Sequence, residues 1–545
     1  MIDRPGHRRH CIGWLAGVTM LVISGPALAK VGGSGLLSCA GDALPTPSAS
    51  AQPAPATMPS LQHWQGGQGY WTLTAHTRIV VEPAHQHALR ALAAKLSDDL
   101  VTVTGRRPAV RVSARPRPGD IALGLAPCRF DQRQAIGGEG YTLRASRVLW
   151  LRANTARGDF YATRSLLQML SMDASDHARH RRVPHGYALD FPRYSERAVM
   201  LDVGRKFAPV PFLKAYLRFM GWYKLNTLHL HLNDQVQSED GKRWLSRAFR
   251  LKSDDPRFAA LVPADGKFYT RQDWESLEKV AAANGVRIVP EIDAPGHAGA
   301  FVMARPDLAY HGDQPGGGTL DPRKPGSLAY VESVWSQFLP WFHSALVHIG
   351  GDEVNINHGT LSTAIQVDFL NRLGHFLQRR GKQVELWGSA DFAPTLDHSF
   401  VIQRWINWGQ EAKVNWGREG FQWTESYGDW YIVPLGPKYF NPHGIQGKVL
   451  YDGWDSRTAA DTPGRFGPDG GQICVWNDLG TRDYTYAGTV HDLLKGAIPA
   501  AGQVFWSDKA RAPDGHVLDY APLQQRVRVL QYGPRVHAFA DDPLR

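Results

Sequence analysis

Residues 227–232 read Thr-Leu-His-Leu-His-Leu, a short apolar strand that ends among polar side chains. Eight such strand candidates occur after residue 197, and stretches of helix length separate them. This rhythm is typical of parallel β/α units, and eight strands close a (β/α)8 barrel. We therefore predict an α/β fold with a (β/α)8 TIM barrel at residues 197–545. The candidate strands are residues 199–203, 227–232, 286–292, 346–349, 383–387, 400–405, 422–433 and 472–476.

The chain before the barrel is predicted in three parts. Residues 1–29 have the order of a signal peptide: arginines, an apolar run at 12–23, and small residues at 27–29. Residues 30–60 are predicted to form a linker, because their later part is rich in Pro, Ala and Ser and buries little apolar surface. Residues 61–192 mix strand and helix patterns, which predicts a small α+β domain in front of the barrel.

The signal peptide predicts export, to the periplasm, the outer membrane or the extracellular space. Its apolar run is too short to cross a bilayer comfortably, and no later run is long enough, so we expect no membrane span. The residues before Cys39 loosely resemble a lipobox, which leaves a lipid anchor at Cys39 as a possibility. Beyond the signal, Cys39, Cys128 and Cys474 remain, and this odd count argues against a disulfide framework.

The formal net charge of +10 raises the question of a polyanionic partner. The basic residues are scattered through apparently folded sequence and do not form a run interleaved with aromatic residues. We interpret the charge as surface charge and predict no nucleic-acid partner.

Polar side chains are dense at the ends of the predicted strands, where barrel enzymes build their active sites. Ion pairs that close the barrel rim would explain any one of them, but not the whole set, because burying so many charges at random is costly. The set comprises Asp202, Arg205, His229, His231, Asp234, Glu291, Asp293, His297, His348, Asp352, Glu353, Trp387, Trp405 and Asp478.

The most informative segment is His348-Ile349-Gly350-Gly351-Asp352-Glu353. Two glycines after a strand allow a sharp turn, so that two adjacent acids reach the same pocket. Two acids held close repel each other, which raises the pKa of one and keeps it protonated as a general acid.

With this segment and the motifs at residues 200–205, 223–234 and 290–297 in the same order, the sequence resembles glycoside hydrolase family 20, the β-N-acetylhexosaminidases. The resemblance extends from about residue 70 to the C-terminus. It implies a retaining hydrolase of β-linked N-acetylhexosamine (GlcNAc or GalNAc) in glycans. In its substrate-assisted mechanism the acetamido oxygen of the sugar attacks C1 and forms an oxazolinium intermediate. No cofactor and no metal are implied.

The resemblance also implies roles for individual residues. Glu353 would protonate the leaving oxygen, and Asp352 would accept the acetamido N–H. Asp234 and His297 would tune Glu353, and Arg205 would bind the ring hydroxyls. The pocket walls would be Trp387, Trp405 and Trp476, although any one of them is as readily explained as core.

Two positions depart from the family pattern. The family commonly has a Tyr followed two residues later by Asp; here Tyr431 is the better match, and no Asp follows it. Asp478 stands where many members have Glu. Both changes lie on the side of the sugar's 4- and 6-hydroxyls, so release of lacto-N-biose or cleavage of poly-N-acetylglucosamine stays open beside removal of one terminal GlcNAc.

Two other classes of function remain as alternatives. His229 and His231 lie two residues apart at a strand end, which is how metal-dependent barrel hydrolases place two imidazoles on one face. A non-catalytic carbohydrate-binding protein is the other alternative, and the presence of Asp352, Glu353 and Arg205 argues against it.

Overall fold

A computed structural model describes residues 51–127, 136–173, 181–240, 242–312, 317–354, 361–406, 408–454, 466–512, 515–539 and 541–544. The predicted signal peptide, Cys39, Cys128 and the predicted linker up to residue 50 lie outside the described residues. Within these ranges, no helix has the length and apolar character that spanning a membrane requires.

The front part of the chain is a seven-stranded mixed sheet with two helices packed on it. Its strands are β1 His63–Thr72, β2 Arg78–Val81, β3 Ala109–Val112, β4 Ile121–Leu125, β5 Tyr141–Ala145, β6 Leu149–Ala153 and β7 Arg182–Asp190. They lie in the order β1-β7-β5-β6-β4-β2-β3. The helices are Gln86–Thr104 and Ala156–Met172, which also pack against each other. The first helix ends at Gly105, whose φ of 70° is a left-handed conformation that glycine adopts without steric cost.

The rest of the chain forms the predicted barrel. Its strands are β8 Glu196–Asp202, β9 Thr227–His231, β10 Asn233–Gln237, β11 Trp244–Phe249, β12 Arg287–Glu291, β13 Leu346–His348, β14 Gln383–Trp387, β15 Val401–Arg404, β16 Gln422–Glu425, β17 Tyr431–Ile432 and β18 Gly470–Val475. Eight of them pair in parallel in the order β8-β9-β12-β13-β14-β15-β16-β18, and β18 also pairs with β8. The ring is therefore closed, and the fold prediction is confirmed.

Helices surround the ring and cover its apolar strands. All residues of β8 and β9 are buried, as expected for parallel strands covered on both faces. The strands β10 and β11 form an antiparallel hairpin directly after β9. The helices are Val210–Trp222, Arg271–Ala283, Gly299–Ala304, Pro325–Phe338, Thr363–Gln378, Gly447–Gly453, His491–Leu494, Ala497–Ser507 and Tyr520–Leu530.

The seventh predicted strand, residues 422–433, is divided in the structure. β16 ends at Glu425, a 3-10 turn covers Gly428–Trp430, and the two-residue strand β17 then pairs with β18. The single long strand is therefore wrong in extent. The break has a consequence, because it places Tyr431 inside the strand-end face, among aromatic residues of the site.

The predicted linker extends too far along the chain. Thr57 and Met58 are fully buried, and the side chain of Gln168 bonds both the N–H and the C=O of Met58 at 2.8 Å. Composition alone suggested unfolded chain, but these contacts depend on a helix more than a hundred residues away. Residues 57–60 belong to the folded unit.

A buried ion pair joins the front sheet to the barrel. Lys224, just before β9, is fully buried with its Nζ 2.9 Å from Asp190 Oδ2 of β7 and 2.9 Å from the Tyr141 hydroxyl of β5. Arg197 of β8 is likewise buried, 2.8 Å from Glu139. These pairs fix the position of the first two barrel strands, from which several residues of the candidate site extend.

Candidate active site

The polar residues predicted at strand ends gather at one end of the barrel. His231, Glu291, His348 and Trp387 are the last residues of β9, β12, β13 and β14. The carboxyl ends of parallel barrel strands share one face, so these residues and the loops that follow them meet there. The predicted site residues in those loops and short strands are Arg205, Asp234, His297, Asp352, Glu353, Trp405, Tyr431, Trp476 and Asp478.

A tight turn brings the two adjacent acids into the site. Gly350 and Gly351 have φ of 68° and 97°, and Glu353 itself has φ of 52°. The Asp293 carboxylate accepts the N–H of Gly351 at 2.9 Å. A Cβ atom at position 350 would lie 1.7 Å from Asp293 Oδ1, so only glycine fits there. Sequence reasoning named Asp293 as a strand-end residue but gave it no role; its role here is to hold this turn.

His297 lies between carboxylates on both sides of its ring. Its Nδ1 is 3.0 Å from Asp234 Oδ1, and its Nε2 is 3.4 Å from Glu353 Oε2 and 3.6 Å from Asp352 Oδ2. Burial alone would lower the pKa of His297, but the charges of Asp234 and Asp352 raise it well above its usual value. The imidazole therefore holds a proton beside the acid pair.

Asp234 connects His297 to Arg205. Its Oδ2 lies 2.8 Å from Arg205 Nη2 and 2.7 Å from His231 Nε2. The guanidinium also contacts Asp202 at 3.0 Å and Asp478 at 3.5 Å. Burial disfavours the charged form of Arg205, but these carboxylates raise its pKa above the usual value. The structure thus brings Arg205, Asp234, His297, Asp352 and Glu353 into one continuous network.

The acid with the raised pKa is Asp352. Burial, with a smaller contribution from Glu353, raises the pKa of Asp352 to about 6. The hydrogen bond from His297 lowers the pKa of Glu353, whose side chain is about half exposed at 47%. The expected repulsion is present, but the acid whose pKa is raised in this structure is Asp352 and not Glu353, the residue expected to act as the acid.

Aromatic rings form the other side of the site. Trp387 and Trp476 lie with ring centroids 5.4 Å apart, and Tyr431 lies 6.0 Å from Trp476. Trp405 is partly buried, and its indole donates to Gly388 O at 2.9 Å. Trp387 is only 1% exposed. It therefore forms the buried floor of this group of rings.

The Tyr431 hydroxyl and Asp352 Oδ1 are among the buried polar atoms of this site that have no hydrogen-bond partner within the described residues. Burial raises the pKa of Tyr431 well above its usual value, with smaller contributions from Cys474 and Asp352. The hydroxyl is therefore a proton donor, and Asp352 Oδ1 is an acceptor in the same neighbourhood. A buried donor and a buried acceptor left unpaired cost free energy unless a ligand satisfies them.

The two departures from the family pattern take definite forms. Val433, two residues after Tyr431, is buried, and its N–H donates to Phe440 O. Its side chain offers no hydrogen bond. Asp478 is half exposed at 48% and contacts Arg205 from the rim.

The two histidines that suggested a metal site contact Glu291 instead of an open cleft. His229 Nε2 lies 3.0 Å and His231 Nδ1 2.6 Å from Glu291 Oε2, and all three residues are buried. Four overlapping groups of described His, Asp and Glu residues around this network are close enough to hold an ion. A catalytic metal keeps an open position for water or substrate. His231 is not free to bind such a metal, because both of its ring nitrogens face carboxylates.

Enzymes that cleave glycosidic bonds use paired carboxylates, and in barrel enzymes these lie at the strand ends, here opposite aromatic rings that can bind a sugar. Fold and site together therefore define a glycoside hydrolase.

Comparison with known proteins specifies the family. Residues 194–438 match the model "Glycosyl hydrolase family 20, catalytic domain", and residues 54–191 match "Glycosyl hydrolase family 20, domain 2". The chain belongs to glycosyl hydrolase family 20, the β-N-acetylhexosaminidase family of hydrolases.

Individual relatives agree with this assignment. The chain is 28% identical to a beta-N-acetylhexosaminidase of Cellulomonas fimi over 480 residues, which cover 84% of this chain and 91% of that protein. It is 26% identical to a beta-hexosaminidase of Vibrio furnissii over 422 residues, which cover 70% of this chain but 64% of that protein. The structure of the GH20 beta-N-acetylhexosaminidase from Streptomyces coelicolor A3(2) superposes with a TM-score of 0.68 at 25% identity, covering 88% of this chain and 96% of that one.

Proposed function

We propose that this protein is a retaining β-N-acetylhexosaminidase that works by substrate-assisted catalysis. The observation that supports this most directly is the unpaired donor and acceptor formed by the Tyr431 hydroxyl and Asp352 Oδ1. A secondary amide presents the complementary pair, one C=O acceptor and one N–H donor. An acetamido group seated here would accept from Tyr431 and donate to Asp352, with its methyl group against the aromatic rings.

This orientation sets up the first chemical step. The carbonyl oxygen of the acetamido group forms a bond to C1 while the glycosidic bond breaks, and Glu353 transfers its proton to the leaving oxygen. The product is an oxazolinium ion, whose positive charge Asp352 stabilises through the N–H.

Water completes the reaction from the side that the leaving group vacated. Glu353, now ionised, accepts a proton from water as its oxygen bonds to C1, and the C1–oxygen bond to the acetamido group breaks. Two displacements at C1 restore the original β configuration, and Glu353 regains its proton.

The proton on Glu353 needs a source, because its pKa is lowered in the unliganded protein. Substrate binding changes both acids. An N–H bonded to Asp352 stabilises its charged form, while a sugar that covers the half-exposed Glu353 disfavours its charge. His297, 3.4 Å away and protonated, is placed to supply the proton. Binding thus converts the unliganded site into one with Glu353 as the acid.

Arg205 is placed to bind the ring hydroxyls. Its Nε donates to Gln235 O, and Nη1 and Nη2 contact Asp202 and Asp234. A guanidinium has five N–H groups, so donors remain for the substrate beside the half-exposed Asp478.

Release of a disaccharide is a second candidate, favoured by the apolar Val433 and by Asp478, which contacts Arg205. These residues leave few polar groups for the 4- and 6-hydroxyls of a terminal sugar, which suits substrates that extend further on that side. Products formed from chitobiose, poly-N-acetylglucosamine and lacto-N-tetraose distinguish a monosaccharide from lacto-N-biose or longer fragments.

The test of the proposed function compares two tyrosine variants. Tyr431→Phe removes the donor for the acetamido oxygen, so kcat/KM on an aryl N-acetylglucosaminide should fall about 10²–10³-fold, the loss seen when one such donor is removed. A cyclic thiazoline mimic of the oxazolinium should bind this variant more weakly by a similar factor.

Tyr427→Phe is the matched control, since Tyr427 lies in the same loop and packs on Trp430. It should leave both values unchanged. Turnover of the corresponding aryl glucoside, which lacks the acetamido group, at the same rate as the N-acetylglucosaminide would rule out substrate assistance.

A further inference from the structure

Four side chains from three strands converge on one buried carboxylate beneath the site. Glu291, the last residue of β12, is fully buried. Its Oε2 lies 2.6 Å from His231 Nδ1 and 3.0 Å from His229 Nε2. Its Oε1 accepts the indole N–H of Trp387 at 2.7 Å and lies 3.2 Å from His348 Nδ1.

His231 is the imidazole that carries the compensating positive charge. One ring nitrogen faces Glu291 at 2.6 Å, and the other faces Asp234 at 2.7 Å. A carboxylate only accepts, so both nitrogens must donate, which requires the imidazolium form. Burial opposes that charge, but Glu291 and Asp234 raise the pKa of His231 well above its usual value.

His348 is held neutral. Gly350 donates its N–H to His348 Nδ1 at 3.1 Å, so that nitrogen carries no proton, and burial lowers the pKa of His348 to about 4. The amide of Gln472 donates to His229 Nδ1 at 3.1 Å, and His229 Nε2 lies 3.0 Å from Glu291 Oε2. Charge therefore alternates along a single chain of contacts: Glu291, His231, Asp234, His297 and the acid pair.

The other carboxylate oxygen fixes the floor of the aromatic cup. The hydrogen bond from Trp387 to Oε1 sets the orientation of the indole. The ring of Trp476 packs at 5.4 Å on Trp387 and at 5.1 Å on His231. A rotation of Trp387 would therefore disturb the wall of the sugar pocket and the imidazolium together.

We propose that Glu291 is a positioning residue that couples the two sides of the active site. One oxygen holds the aromatic floor, and the other holds the His231 imidazolium that orients Asp234 and His297. This inference rests on the proposed function. Stability alone gives no reason for a carboxylate here, because burying an ion costs free energy that a neutral core would not incur.

The charge on Glu291 bears on catalysis through His297. Without the charge on Glu291, His231 would lose its second proton, and Asp234 would then lose a neighbouring cation. The less compensated Asp234 would bind the proton of His297 more tightly, so its transfer to Glu353 would be harder. The charged or titratable groups that surround Glu291 are His229 and His231 from β9, His348 from β13, Glu385 from β14, Cys474 from β18, and Asp293 and Asp352.

The test is Glu291→Gln, which keeps the size of the side chain and an acceptor for Trp387 but removes the charge. Sites competent to bind are counted by titration with the thiazoline mimic, and kcat is expressed per counted site. We expect kcat on an aryl N-acetylglucosaminide to fall about 10–100-fold, the usual effect of losing such a supporting contact, with KM nearly unchanged. The alkaline limb of kcat should move to higher pH, because His297 holds its proton more tightly.

Glu385→Gln is the matched control. Glu385 is also a buried acid on a barrel strand, but its pKa, raised by burial and Glu196 to about 8, keeps it protonated at neutral pH. Its replacement should leave kcat and the pH profile as in the wild type. If Glu291→Gln does not fold, Glu291→Asp keeps the charge but shortens its reach, and kcat per site should still fall.

An unchanged kcat and pH profile per site in the folded Glu291 variant, with lowered thermal stability alone, would show that the role is structural and overturn the inference. Failure of the wild type to hydrolyse any N-acetylhexosaminide would instead reject the proposed function.

Discussion

The two sides of the active site are prepared to different degrees. On the charged side, Arg205, Asp234, His297 and the acid pair each contact an oppositely charged neighbour. On the aromatic side, the Tyr431 hydroxyl and the Trp476 indole N–H are buried without a hydrogen-bond partner in the described parts of the chain. The charged side is thus held together by its own ion pairs, although Asp352 Oδ1 and His297 Nε2 have no hydrogen-bond partner among the described residues. The aromatic side has no such ion pairs in the described residues, and its buried polar atoms await a ligand.

The two sides therefore contribute to catalysis in different ways. A charge network that is already formed needs little rearrangement when the transition state develops, which is the main source of electrostatic catalysis. Unpaired polar atoms in a cup of rings instead supply recognition, because a ligand with the wrong groups leaves them unpaired. Changes on the charged side should therefore affect both rate and stability, whereas changes on the aromatic side should affect turnover of N-acetylated sugars with little effect on stability.

The largest expected effect comes from removing the proton donor on the charged side. Glu353→Gln should slow hydrolysis of substrates with poor leaving groups by about 10²–10⁴-fold, because the leaving oxygen then departs without a proton. Aryl glycosides with activated leaving groups should lose less in the first step. Steady-state and burst kinetics over a series of phenols measure this dependence.

Asp352→Asn is the comparison for that series. It keeps the proton donor but weakens the hold on the acetamido group, so the loss should be similar for good and poor leaving groups. Equal dependence on the leaving group in both variants would contradict the separate roles of the two acids.

A smaller effect, on stability, contrasts the two sides directly. Arg205→Met leaves Asp202 buried without its cation and removes one of the cations beside Asp234, so the free energy of unfolding should fall by about 3–5 kcal/mol, the usual result of breaking a buried pair. Tyr431→Phe removes a hydroxyl that has no hydrogen-bond partner in the described part of the chain, and should change that free energy by less than about 1 kcal/mol. Urea unfolding of both variants tests this, and equal destabilisation would contradict the proposed division.

How much of the fold and site can be predicted from sequence depends on whether the contacts that form them are local or distant along the chain. The barrel was predictable, because each strand is a local apolar run and the eight runs repeat one rhythm. Tyr431 could be named from its motif. The break after Glu425 that turns Tyr431 inward could not be predicted, because β17 forms by pairing with the distant strand β18. The burial of Met58 depends on Gln168, which no local pattern reveals.

The electrostatics of the site were less predictable than its composition. Adjacent acids implied one raised pKa, but the choice of Asp352 depends on burial and on the position of His297. The role of Glu291 was missed for a similar reason. Its partners come from β9, β13 and β14, and the stagger of strands in the closed ring decides which side chains meet.

The smallest expected effect is on the pH dependence of kcat/KM near neutrality. It tests which residue supplies the proton that Glu353 transfers. Asp352 must be ionised to accept the acetamido N–H, and its pKa is about 6. If His297 supplies the proton of Glu353, the productive free enzyme has both acids ionised and His297 protonated. We then expect kcat/KM to rise with pH, to reach half its plateau near pH 6, and to fall only where His297 loses its proton.

His297→Asn provides a second test of this prediction, because it removes the imidazole that holds the proton. The acid pair must then hold the proton itself, so the productive free enzyme carries one proton on the pair and becomes scarcer as pH rises. The rise of kcat/KM through pH 6 should become a fall. Asp352→Asn should abolish the rise without reversing it, since the amide that replaces the carboxylate does not titrate. If wild-type kcat/KM already fell above pH 6, the proton of Glu353 would come from solvent, and His297 would be a neighbour that orients the acid without loading it.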